Sequence, residues 1–195
     1  MRAAALVVIA TVSLIASTAG AQALPPEAQQ IAAAVLPLPA AQRDGAGVMG
    51  YRTAGKLAIL RPARNGMQCL ADEPGDDRFH VACYATSLEP FMARGRALRA
   101  AGTTGTQVDT VRFAEVKRGR LRVPSAPAAL FSLTGPKDDF DATTGTAPKS
   151  KPLFVMYMPY ATTATTGVPS TPSKSGPWLM FPGTPKAHLM LQHDM

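Results

Sequence analysis

The chain has 195 residues and a formal charge of +7, a length suited to one domain with a buried core. Its basic residues are dispersed, through Arg61, Arg64, the pairs Arg94/Arg96 and Arg118/Arg120, Arg122, Lys149, Lys151 and Lys174. With no aromatic residues interleaved among them, this pattern excludes a base-stacking nucleic-acid surface and reads as a solvated basic face, anionic polysaccharide or lipid headgroups being the other partners such charge attracts.

Arg2 precedes an apolar run from Ala3 to Ile9 that continues through Val12, Leu14 and Ile15, and small residues follow from Ser17 to Ala21. A charged start, a short apolar centre and an Ala-x-Ala close predict a secretory signal peptide over residues 1–21. Cleavage after Ala21 fits Ala19-Gly20-Ala21, and cleavage after Ala23 fits Ala21-Gln22-Ala23. The run falls short of the roughly 20 apolar residues of a membrane span, and no later stretch supplies one. The expected destination is a periplasm or the extracellular space. Residues 22–195 then form a single α+β domain: a mostly antiparallel sheet, two or three helices packed on one side, and one disulfide.

Pro25-Pro26-Glu27 opens a short helix with Ala28, Ile31, Ala32 and Val35 at helical spacing, stopped by Pro37 and Pro39. Three β-like runs follow, at 47–51, 56–60 and 67–70, the last introduced by Asn65-Gly66, a strong hairpin dipeptide. A fourth, Phe79 to Tyr84, completes what reads as an antiparallel meander. Cys69 and Cys83, an even count in an exported chain, predict a disulfide between its third and fourth strands.

Ser87 is a suitable N-cap for a helix carrying the stripe Leu88, Phe91, Met92 and Leu98, closed by Gly102. A second helix is expected over Gln107 to Arg118, ending at Gly119, although its β-branched residues also suit a strand. Ala129 to Leu133 reads as a strand. Residues 136–151 read as an exposed, mobile loop, and Leu153 to Met158 as a buried central strand. The Thr/Pro/Ser/Gly stretch at 161–177 is a second long, mobile loop of the kind that is often functional. Trp178 to Phe181 and Ala187 to Gln192 read as closing strands split by Pro182-Gly183-Thr184-Pro185.

Four groups of residues carry possible chemistry. Cys69, His80 and Cys83 are soft metal ligands in type, but they lack a fourth ligand and the close Cys-x-x-Cys spacing of zinc sites, so a structural disulfide is the simpler reading. Asp72, Asp76 and Asp77, with Glu73, are oxygen donors for Ca²⁺, as are Asp138, Asp139 and Asp141. Neither set has EF-hand spacing, and solvated turns account for both. Of the histidines, His188 is the candidate general base, His80 sits on a strand and His193 in the tail. Tyr157, Tyr160 and Trp178 suit the wall of a pocket for a small ligand or sugar; alternatively Tyr157 and Trp178 are core residues. No Gly-x-Ser-x-Gly elbow and no phosphate-cradling glycine loop is present.

The resulting expectation is an exported, soluble, non-catalytic protein that binds a small ligand, an anionic polysaccharide or an envelope protein, without a cofactor. The alternative is a secreted hydrolase pairing His188 with a carboxylate such as Asp77 or Asp141. Geometry separates them: the hydrolase requires His188 in a cleft, within hydrogen-bonding reach of a carboxylate.

Overall fold

In a computed structural model, which describes residues 24–191, the expected first helix forms as α1 (Glu27–Ala34). Pro26 holds φ −51° at its N-cap, Glu27 places a negative charge against the helix's positive end, and the chain leaves after Val35. The leader, both cleavage positions and His193 lie outside the described residues. A four-residue turn of helix, α2 (Ala40–Arg43), follows the prolines.

Eight strands form one sheet: β1 (Gly47–Thr53), β2 (Lys56–Arg61), β3 (Met67–Leu70), β4 (Arg78–Ala85), β5 (Ala128–Pro136), β6 (Lys151–Tyr157), β7 (Trp178–Met180) and β8 (His188–Leu191). Their order across the sheet is β2-β1-β3-β4-β5-β6-β8-β7. The first four do not form a meander. β3 lies on the far side of β1 from β2 and runs parallel to β1, while every other pairing is antiparallel. Asn65-Gly66 therefore closes a crossover and not a hairpin. The crossing segment is tied to the start of β1 by Arg64 and Asn65 N–H groups donating to the Gly45 carbonyl. It lies so close over Gly47 that a Cβ there would sit 2.8 Å from the Ala63 nitrogen. Two small residues before and within β1 thus select the crossing path over the hairpin.

The disulfide forms between Cys69 and Cys83, directly opposite each other in β3 and β4 and both fully buried. Around it lies a core of Ala34, Val35, Leu38, Val48 and Met67. α1 covers this face. Its Gln30 side chain acts as an extra strand residue where β3 is too short to reach: Oε1 accepts from Tyr51 N at 2.7 Å and Nε2 donates to Tyr51 O at 2.8 Å. Gly50 makes room for it, since a Cβ there would meet Gln30 Oε1 at 2.6 Å.

The helices do not share one side of the sheet. Tyr84 follows Cys83 along β4 and so points to the opposite face, where it packs with Leu88, Val155 and Tyr157 beneath α3 (Glu89–Ala100). Ser87 does not cap α3: it lies in a 3-10 turn, Thr86–Leu88, that leads into the helix, and Leu88 occupies the cap position. Gly102 closes α3 at φ 85°, as its position after the last apolar residue predicts. α4 (Gln107–Lys117) forms as a helix despite its β-branched residues, and its buried side chains are Val108 and Arg112.

β6 is interior to the sheet, yet only its Val155 and Tyr157 are buried. α1 spans the β1–β4 part of its face, so on the β6 part Phe154 is covered chiefly by stacking on Phe131, with ring centroids 4.7 Å apart. Within residues 136–151, Asp139 is buried, not exposed, and accepts from Lys149 N–H and from the Ser150 hydroxyl. The Thr-rich stretch holds a short helix, α5 (Thr163–Thr166), closed by a reciprocal Thr162/Thr165 capping box.

Candidate functional site

Small residues at the rim of a helix leave space that larger ones would fill. Ala97 and Ala100 on the C-terminal half of α3 stand over Leu57, Leu70 and Ala82 of the sheet, and between them lies an open cavity of about 670 Å³. That volume is within the range of small-molecule sites, roughly 300–1,000 Å³. Its floor is aliphatic. Its polar groups are Tyr51, His80, Glu73 and Asp76 on the sheet side, and Arg96 and Arg99 on the helix side.

The helix-side cations differ. Arg96 is held at the wall by Glu89, 2.5 Å from Nη2, and by the Tyr84 hydroxyl, 2.8 Å from Nη1. Arg99 is exposed and makes no ion pair among the described residues. On the opposite side Tyr51 is 7% exposed, and both of its backbone hydrogen-bonding groups are taken by Gln30. Its phenol makes no hydrogen bond among the described residues and is not sealed from the cavity, for the one fully buried side-chain nitrogen or oxygen without a partner is Arg112 Nε. Burial, reinforced by Glu73, Asp72 and Asp76, pushes the phenol up to about 12, so it stays protonated.

The acidic turn that borders the cavity does not converge on a point. Asp72 Oδ1 accepts from His80 N at 2.6 Å, Asp76 Oδ1 from Arg78 N at 3.3 Å, and Asp77 faces Arg78 Nε at 3.4 Å. No group of three or more His, Cys, Asp or Glu residues among the described residues is arranged to hold a metal ion. Burial raises Asp72 to about 6, against the opposing hydrogen bond from His80. His80 itself donates or accepts at Thr134 Oγ1, 2.8 Å from Nδ1, and burial followed by the charge of Arg78 holds it below its ordinary value.

The other residues singled out by sequence lie elsewhere. His188 is 5% exposed, with Tyr157 and Phe181 rings at 4.9 Å and 5.7 Å. Its Nδ1 is 2.7 Å from the Lys186 carbonyl; because a carbonyl only accepts, Nδ1 carries the proton. Burial keeps this imidazole below its ordinary value and hence neutral. Among the described residues it makes no hydrogen bond to a carboxylate. The register sets it opposite Tyr157, which pairs with Ala128, whereas Asp77 precedes the Arg78–Pro136 pair at the far end of β4 and β5. Tyr157 and His188 are thus brought together. Tyr160 is 51% exposed, in a left-handed turn at φ 64°, and Trp178 is half-buried on the edge strand β7. None of these three aromatics lines the cavity.

A charged cluster underlies this C-terminal region. Arg112 is 3% exposed, with its guanidinium 3.9 Å from the centre of the Phe91 ring, paired to Asp109 and donating to the Phe91 carbonyl. Asp109 also accepts from Lys186 Nζ at 2.8 Å, which ties α4 to the segment preceding β8.

Sequence inspection passed over Tyr51, Arg96 and Arg99 as site residues. The available signal was the spacing of Ala97 and Ala100 among the arginines of α3. No helix among the described residues is long and apolar enough to cross a membrane. The chain matches no protein-family model, no curated protein and no solved structure.

Proposed function

We propose that this is an exported, non-catalytic binding protein whose site is the cavity between α3 and the β2-β1-β3-β4 part of the sheet. The observation that carries the reading is the combination of an aliphatic floor with Tyr51, a tyrosine 7% exposed whose phenol opens on the cavity and makes no hydrogen bond among the described residues. Apolar walls supply affinity, and a few placed polar groups supply orientation. A hydroxyl that the fold leaves free at the wall of a cavity is available to a ligand entering it. Export is supported by the leader pattern and by the buried Cys69–Cys83 bond, which persists in an oxidising compartment.

The test is a thermal-shift screen of small molecules on the mature protein, repeated on Ala97→Trp, where the indole occupies the cavity from the exposed side of α3. A ligand of the cavity raises the melting temperature of the parent and leaves the variant unmoved, since binding to the native state stabilises by mass action. Ligands that shift both proteins equally would place binding elsewhere and refute the reading. Export is checked separately by the mass of protein recovered from an exporting host: loss of the first 21 or 23 residues and of two hydrogens is expected.

A further inference from the structure

We infer that the cavity is selective for an organic cation: a molecule with an apolar body and one protonated amine, its ammonium at Tyr51, Glu73 and Asp76 and its body against Leu70, Ala82 and Ala97. The inference rests on the cavity being a ligand site, as proposed above.

Three observations point to the sign of the charge. First, among the cavity's ionised groups Glu73 and Asp76 make no ion pair within the described residues, while Arg96 is committed to Glu89 and Tyr84. The remaining cation, Arg99, is exposed and is screened by solvent, as Glu73 is, while Asp76 is half-buried. His80 is held toward its neutral form. With Arg96 neutralised by Glu89, the charges left at the cavity are two carboxylates and one guanidinium, an excess of one negative charge on a protein whose total charge is +7. Second, the free Tyr51 phenol lies in the field of Glu73, Asp72 and Asp76, opposed only by Arg96. The phenol oxygen can accept from an ammonium that enters this field. Third, the floor is aliphatic, so it desolvates an apolar body but offers nothing to a second charge. A hydrophilic polycation is excluded by the same floor.

Three probes of similar shape and different charge separate these effects: 2-phenylethylammonium, neutral 2-phenylethanol and anionic 3-phenylpropanoate. Each is titrated into the isotope-labelled mature protein at about pH 7.5 and low salt, with the amide resonances of Ala82, Ala97 and the Tyr51 region as the readout. The expected result is binding of the ammonium about tenfold tighter than either of the other two, the combined size of two charge interactions that solvent reaches. In Glu73→Gln/Asp76→Asn the ammonium weakens about tenfold and the alcohol is unchanged; Tyr51→Phe weakens the ammonium about fivefold. The alcohol titration also verifies that each variant retains the cavity.

Equal or tighter binding of the phenylpropanoate or the alcohol at the same resonances would overturn the charge selectivity and leave the cavity reading intact. A preference for the ammonium that survives the double substitution overturns it as well. No response at these resonances to any of the three probes, or the same response in Ala97→Trp, overturns the cavity reading itself.

Discussion

Removing either partner of the Arg112–Asp109 pair should have unequal consequences. Arg112 is sealed in the protein, its side chain 4% exposed, and its charge is met by Asp109, the Phe91 carbonyl and the Phe91 ring. Asp109→Ala leaves that guanidinium buried without a counter-charge. Breaking a buried pair this way costs about 3–5 kcal/mol, and the lower figure applies because Asp109 and Lys186 are each 23% exposed and solvent replaces part of what is lost. Arg112→Met is different. Asp109 keeps Lys186 at 2.8 Å, so no charge is orphaned. The variant loses the hydrogen bonds to the Phe91 carbonyl and Asp109 and the contact with the Phe91 ring, together about 2–3 kcal/mol. It also removes the Nε that is buried without a partner, a relief of about 1–3 kcal/mol. The expected net change is within about 1 kcal/mol of zero. Urea unfolding followed by the fluorescence of Trp178, the one tryptophan, measures both. Hydrogen bonds from Lys186 and Arg112 outweigh the upward push of burial on Asp109 and hold its carboxyl below the ordinary value. Its contribution is therefore present above that value and lost as pH falls through the depressed one, and the gap between parent and Asp109→Ala closes in acid. A loss at Arg112→Met as large as at Asp109→Ala would refute the reasoning.

Two further outcomes follow from local geometry. Replacing both Cys69 and Cys83 by alanine opens a loop with a sequence separation of 14 and should cost about 3 kcal/mol by the chain-entropy estimate, read as a lower urea midpoint; an unchanged midpoint would mean the bond adds nothing to the core around it. Asp72→Asn preserves the acceptor for His80 N–H while removing a charge that burial disfavours. The rise from 3.8 to about 6 corresponds to ~3 kcal/mol before screening, and about 1 kcal/mol at a carboxyl that reaches solvent. Because the folded value is raised, the native stability is fully present below 3.8 and declines as pH rises through about 6. The asparagine variant should therefore be the more stable above pH 6 and equal to the parent in acid; a variant less stable at all pH values would contradict this.

Much of the fold was legible from local chemistry. The four-residue apolar spacing of α1 and α3, the glycines closing α3 and α4, and the alternation along β4 each reflect a preference that neighbouring residues alone determine. The path from β2 to β3 was not. Asn65-Gly66 carries the same turn preference in a hairpin and in a crossover, and the choice is made by Gly45 and Gly47, which accept the passing backbone. The placement of α1 and α3 on opposite faces was equally hidden, since a half-buried strand has one polar and one apolar face in its sequence only if one side meets water. β4 alternates Cys83 with Tyr84, and both sides are covered.

The candidate site lies at this same boundary. The sequence by itself carried the pattern from which a leader is expected, two cysteines available to pair, and the existence of most helices and strands, because these depend on composition and on spacing along the chain. Only the tertiary structure decided that Cys69 and Cys83 are cross-strand neighbours in the core, that Tyr51 packs into the protein with its hydroxyl left open to the cavity, and that Glu73 and Asp76 share that cavity with Ala97 of a distant helix. A cavity is the space that side chains from separate elements fail to fill. Its volume depends on how helix and sheet are held apart, a distance that no local pattern encodes.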